Sequence, residues 1–139
     1  MKKYLLFFML LTISVSSCAQ TTNDSKTTGT AAEMIFNETD HNFGIIQHKG
    51  NGTFEFIFKN TGKEPLIITN VQSSCGCTIP SWDKEPILPK KTGKIIVKYD
   101  TERIGQFIKS IKVFSNAANS PVEIMIRGEV KVAEAIENK

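Results

Sequence analysis

Thr53-Phe54-Glu55-Phe56-Ile57-Phe58-Lys59-Asn60 sets a bulky aromatic at every second place. Successive side chains of an extended chain point to opposite faces. One face therefore carries Phe54, Phe56 and Phe58, and the other Thr53, Glu55, Ile57 and Lys59. A helix would scatter the three rings around its circumference, so the spacing predicts a strand with one apolar face.

The same period recurs downstream. Ile95, Val97 and Tyr99 alternate with Lys94, Ile96 and Lys98, and Val122, Ile124 and Ile126 alternate with Glu123, Met125 and Arg127. Leu66-Ile67-Ile68 and the run from Ile108 to Phe114 read as further strands, rich in β-branched and aromatic residues. Gly50-Asn51-Gly52 predicts a tight hairpin between Ile45-Ile46 and Phe54, because Asn-Gly tolerates the positive φ such a turn needs. Asn60-Thr61-Gly62, Thr92-Gly93 and Ser115 to Pro121 mark other turns, while Pro80, Pro86 and Pro89 predict a long irregular crossing after Cys77. Sustained helical spacing is missing; only Val130 to Asn138 leans that way, and its charges suggest a frayed tail. The expectation is all-β: a sandwich of seven to eight mostly antiparallel strands over residues 33–130, closed through the Phe54/Phe56/Phe58, Ile95/Val97 and Ile124/Ile126 faces. Residues 131–139 form the charged tail.

The N-terminus has a different composition. Met1-Lys2-Lys3 leads into an apolar run from Tyr4 to Val15, then Ser16-Ser17-Cys18. A basic start, about a dozen apolar residues and small residues before a boundary make a secretory signal, too short to span a bilayer. Val15-Ser16-Ser17-Cys18 resembles a bacterial lipobox, which implies that residues 1–17 are removed and Cys18 is lipidated. Residues 18–32 are polar and threonine-rich, the composition of a flexible tether with a reach of roughly 20 Å. The expected address is the bacterial cell envelope, on the outer membrane facing the periplasm, with the membrane reached through the lipid.

Of 17 basic residues, Lys2 and Lys3 leave with the leader, and the remaining 15 face 14 acids. So balanced a chain offers no stripe to neutralise phosphates, and nucleic acid is excluded as a partner class. About 122 residues, 139 less 17, make one domain.

A series of motifs carries a resemblance. It runs Asp40-His41-Asn42-Phe43-Gly44-Ile45-Ile46, Phe56-Ile57-Phe58-Lys59-Asn60-Thr61-Gly62, Pro65-Leu66-Ile67-Ile68, Ser73-Ser74-Cys75-Gly76-Cys77-Thr78, Pro89-Lys90-Lys91-Thr92-Gly93 and Ile111-Lys112-Val113-Phe114-Ser115-Asn116. The series resembles the bacterial domain-of-unknown-function family fifteen-seventy-three, found in lipoproteins of the Bacteroidetes type. The resemblance implies an immunoglobulin-like β-sandwich, similar to major sperm protein, ciliary and spindle domains, and pilus chaperones. It implies no activity.

Cys75-Gly76-Cys77 is the one constellation with chemistry to offer. Residues i and i+2 of an extended segment share a side, so both sulfurs can converge. Three readings stand: a readily reduced short-range disulfide, a dithiolate holding Cu(I) with Met125, His41 or His48 as third ligand, and a structural disulfide or packed thiols beneath Trp82. The plainest is the last, and no cofactor is expected. Zinc wants a second ligand pair that the chain lacks.

His41, expected in a polar turn, and His48 serve no visible catalytic pattern. Ser73 and Ser74 lack a nucleophile elbow, and no phosphate-binding glycine loop occurs. Asn37-Glu38-Thr39 and Asn51-Gly52-Thr53 match the glycosylation triplet, a chance match in a bacterial lipoprotein. Trp82, in the proline-rich crossing beside the cysteines, is the partner-contact candidate, since half-exposed tryptophan favours interfaces. The expected job is binding a protein or peptide without turnover; the rival is thiol redox or Cu(I) handling through Cys75 and Cys77.

Overall fold

A computed structural model describes residues 31–132. The leader, Cys18, most of the tether and residues 133–139 lie outside the described residues. Eight strands follow in chain order: β1 (Met34–Phe36), β2 (Asp40–Gln47), β3 (Thr53–Asn60), β4 (Ile68–Ser73), β5 (Thr78–Trp82), β6 (Thr92–Tyr99), β7 (Gly105–Ser115) and β8 (Val122–Lys131). They form two four-stranded sheets, ordered β1-β3-β6-β5 and β2-β8-β7-β4. All pairs are antiparallel except β2 with β8. The fold is an all-β sandwich, and the described residues contain no helix.

Alternation builds the core. Phe56, Phe58, Ile95, Val97 and Tyr99 from one sheet meet Phe107, Ile111, Val113, Ile124, Ile126 and Val130 from the other, all buried. Each such side chain contributes about 1.5–3 kcal/mol on leaving water. Phe54 stays half-buried, at the sandwich margin, where the His41 ring stacks on it at 3.4 Å between centroids.

Several local expectations are corrected. Gly50-Asn51-Gly52 makes no hairpin: β2 and β3 belong to different sheets, and the positive φ (63°) falls on Lys49. The chain must turn across the sandwich there, which a two-residue hairpin cannot do. Leu66 forms only an isolated bridge with Ile87, and β4 starts at Ile68. His41 lies in β2, not in a turn. Val130 and Lys131 extend β8 instead of opening a tail. Ala32 is buried and its carbonyl accepts from Ala118 N, so order begins inside the segment expected to be tether.

Asn60 explains how the β3 end is fixed. Its Nδ2 donates to Glu64 O (2.8 Å) and Ile87 O (2.9 Å), and its Oδ1 accepts from Gly62 N (3.0 Å). A fully buried amide is tolerable only with its hydrogen bonds made. Gly93 faces Phe58 across the same sheet; an added Cβ would stand 2.5 Å from Phe58 Cζ, so the position must be glycine for the aromatic to lie flat.

Candidate functional site

The segment from Ser73 to Pro89 is not one irregular crossing. Its middle forms β5, an edge strand that carries Pro80. Cys77 O accepts from Asp100 N, and the register continues Thr78↔Tyr99 through Trp82↔Ile95. By the alternation of antiparallel pairing, Ile79 and Ser81 bond inward to β6 while Thr78, Pro80 and Trp82 turn their backbones to the open edge. Thr78 N is already taken by Cys75 O, and proline has no N–H. Only Trp82 keeps an unclaimed donor along this edge, so a partner strand would find a poor template.

β5 separates the two predicted candidates. Cys75 and Cys77 precede it and Trp82 ends it, about 15 Å further on at the rise of an extended strand. Trp82 is therefore not beside the cysteines. Its ring is half-buried, Lys84 Nζ lies 3.3 Å from its centroid, and Nε1 is buried without a hydrogen-bond partner. A cation on an aromatic face is attracted by the ring quadrupole, so the pair is held together.

Next to Trp82, the β5–β6 connection roofs an open cleft of about 630 Å³. Its apolar surface comes from Ile87 and the exposed Leu88, over the buried Phe58 and Ile68, and its charges are Lys84, Lys91 and Lys94 with Asp83 and Glu85. Asp83 and Lys94 also line a smaller hollow of about 180 Å³ with Ser81, Trp82 and Ile96, so ring and cleft adjoin. Lys94 is partly spent on Glu55 at 3.0 Å. The cleft thus offers apolar surface edged by three lysines and two carboxylates, with the Trp82 ring in the adjoining hollow.

At the other end Cys75 and Cys77 are joined as a disulfide. Cys77 is 7% exposed and Cys75 half-exposed. Ser73 Oγ sits 2.6 Å from Cys75 O and 2.8 Å from Thr78 O, and Thr78 Oγ1 lies 3.8 Å and 4.0 Å from the two sulfurs. A dithiolate for Cu(I) would first require that bond to be reduced. The proposed third ligands are placed apart: His41 is stacked on Phe54 and bonded to Glu38, and Met125 faces outward from β8 opposite Ser110. His48 lies in the turn after β2. Among the described residues, no three His, Cys, Asp or Glu side chains converge on a metal-sized site.

Sequence reasoning missed Asn60 and Asn119, whose amides act on backbone groups far away; Asn119 clasps Met34 with bonds to both its N and its O. Neither residue type in a turn announces a distant partner.

These features define a fold class, the immunoglobulin-like β-sandwich. A domain of that kind from human CEP192 (ASH/PapD-like domain 7) superposes with a TM-score of 0.63 at 9% identity, over 75% of this chain and 89% of that one. The CupB2 chaperone of Pseudomonas aeruginosa gives 0.52 at 7% identity, covering 69% and 55%. A Porphyromonas gingivalis W83 protein of unknown function gives 0.65 at 16%, over 78% of this chain and 51% of that one, so this chain spans about half that protein's length. No curated protein sequence matches. The chain belongs to the DUF1573 family, described as protein of unknown function, whose model matches residues 34–130.

Proposed function

We propose that this protein is a binding module of the bacterial cell envelope, held to the membrane by lipid on Cys18 and acting without turnover. The observation that carries the reading is the cleft of about 630 Å³ that Ile87 and the exposed Leu88 line and that adjoins Trp82. Apolar walls ringed by a few polar groups suit ligand recognition, and an aromatic anchor suits a protein contact. The partner would be a protein or peptide presenting an apolar side chain with a carboxylate nearby, the latter for Lys84, Lys91 or Lys94. The edge of β5, short of donors, favours this side-chain recognition over strand addition. Its likeness in fold to a chaperone and the CEP192 domain supports binding only as analogy.

Crosslinking in cells followed by mass spectrometry tests the reading. A partner captured by wild type and lost on Trp82→Ala, with circular dichroism unchanged, is the expected result. Retention of every captured protein by a folded Trp82→Ala variant would remove the cleft end as the contact.

A further inference from the structure

We propose that the Cys75–Cys77 disulfide is a thiol–disulfide exchange centre that takes two electrons from a dithiol of a partner protein. The inference is independent of the cleft, which lies at the opposite end of β5.

Three observations place the chemistry here. First, the bridge spans a sequence separation of 2 and ties no two strands together. Closing so short a loop removes little entropy from the unfolded chain, so the folded state gains little from keeping it oxidised. Second, the loop is held without it. Asp100 N donates to Cys77 O at 2.9 Å, and Ser73 Oγ reaches Cys75 O and Thr78 O. Third, access is unequal: Cys75 is half-exposed, Cys77 is buried, and nothing lies within 4 Å of where a Gly76 Cβ would stand. Beside them a hollow of about 260 Å³ is lined by Gly76, Cys77, Ile79, Lys98, Tyr99 and Asp100, with Ile79 65% exposed as an apolar contact.

The exchange follows from that asymmetry. A partner thiolate attacks Cys75 Sγ, a new S–S bond forms, and the Cys75–Cys77 bond breaks with its electron pair on Cys77 Sγ. The Thr78 hydroxyl, 4.0 Å from that sulfur, can donate to the departing thiolate, which then takes a proton from water. The partner's second thiol, its proton given to water, attacks the partner sulfur of the mixed disulfide and expels Cys75 as a thiolate, which takes a proton from water. The partner dithiol is oxidised to a disulfide, and Cys75 and Cys77 end as two thiols.

The test uses the full chain with dithiothreitol, then with thioredoxin as a Cys-x-x-Cys dithiol probe, read by quenched alkylation and peptide-resolved mass spectrometry alongside circular dichroism. The Cys75–Cys77 peptide should gain two alkyl groups at least about tenfold faster than the chain unfolds, with the β signal intact. Opening only at the unfolding rate, or together with loss of that signal, overturns the proposal. With each single-cysteine variant first loaded as its mixed disulfide with thionitrobenzoate, which supplies the leaving thiolate, thioredoxin lacking its resolving cysteine should be trapped by Cys77→Ser at least about tenfold faster than by Cys75→Ser, since only the former keeps the exposed sulfur. Equal or reversed trapping overturns the assignment of Cys75 as the attacked atom, and no trapping by either variant overturns the exchange.

Discussion

Asn60 Nδ2 donates to the carbonyl of Ile87 at 2.9 Å, across 27 residues of sequence. With its bond to Glu64 O, the one amide ties the end of β3 to the β3–β4 turn and to the roof of the cleft. Asn60→Ala would leave Glu64 O, Gly62 N and Glu33 N without this partner, while Ile87 O keeps its bond from Leu66 N. The expected loss is about 3 kcal/mol, since each stranded buried group costs roughly 1–3 kcal/mol and some will be rehydrated. Urea unfolding checks it; a loss under about 1 kcal/mol would mean water replaces the amide at this end.

Gly93→Ala sets a methyl group 2.5 Å from Phe58 Cζ, an aromatic with no exposed surface. Overpacking of this kind costs about 1–3 kcal/mol. Phe58→Leu in the same chain makes room, so the double variant should be more stable than the sum of the two single losses. A thermal-melt cycle measures the coupling, and strict additivity would show that the ring already has space to move.

Removing the bridge should cost little. Cys75→Ser/Cys77→Ser opens a loop of about three residues, for which the chain-entropy account gives about 1.5 kcal/mol, a small part of a domain's 5–15 kcal/mol. The double variant is expected to fold with the same circular dichroism. A melt lowered by tens of degrees would instead make the bridge a main support of the β4–β5 loop.

Tyr99 makes stability fall on the alkaline side. Burial of its ring, stacked on Phe107 at 3.7 Å, raises the phenol's pKa; Arg103 lowers it and Asp100 raises it by smaller amounts. The folded state thus holds the phenolic proton to higher pH than the unfolded chain, where it leaves near 10. The stabilisation is complete below that value and is lost as pH rises through the folded pKa. Urea midpoints should drop above about pH 10, and Tyr99→Phe should flatten that drop; an unchanged slope in the variant would show that the phenol is not its source.

The sandwich was legible because burial enforces period two. Phe56, Phe58, Ile95, Val97, Ile124 and Ile126 all sit in the core where alternation puts them. The connections were not legible. Gly50-Asn51-Gly52 reads as a hairpin by local preference, yet whether two neighbouring strands share a sheet is decided by which faces can meet, a property of the whole chain. The prolines misled in the same way: Pro80 argues against a central strand but is compatible with an edge, and the sequence does not say which strand is last in its sheet. The two sulfurs do meet, but across a turn with Cα atoms 5.3 Å apart and not along the extended segment the spacing suggested, whereas the cleft unites Phe58, Ile68 and Lys91 from separate segments and left no contiguous signal.

The path of residues 31 and 32 gives the anchor a directional consequence. Ala31 O accepts from Lys63 N and Ala32 O from Ala118 N, so the chain enters beside the β3–β4 turn, at the cleft end of the sandwich. If Cys18 carries lipid, a tether of about a dozen residues keeps that end within roughly 20 Å of the bilayer, and the disulfide points away from it. Cys18→Ser should abolish labelling by radioactive palmitate and move the protein from the membrane to the soluble fraction, since one or more acyl chains supply the membrane affinity. On isolated outer-membrane vesicles opened to expose the anchored face, a bulky maleimide added after reduction should modify Cys75 as fast as on the detergent-solubilised protein. Slower modification on the membrane would place the disulfide, and not the cleft, against the lipid.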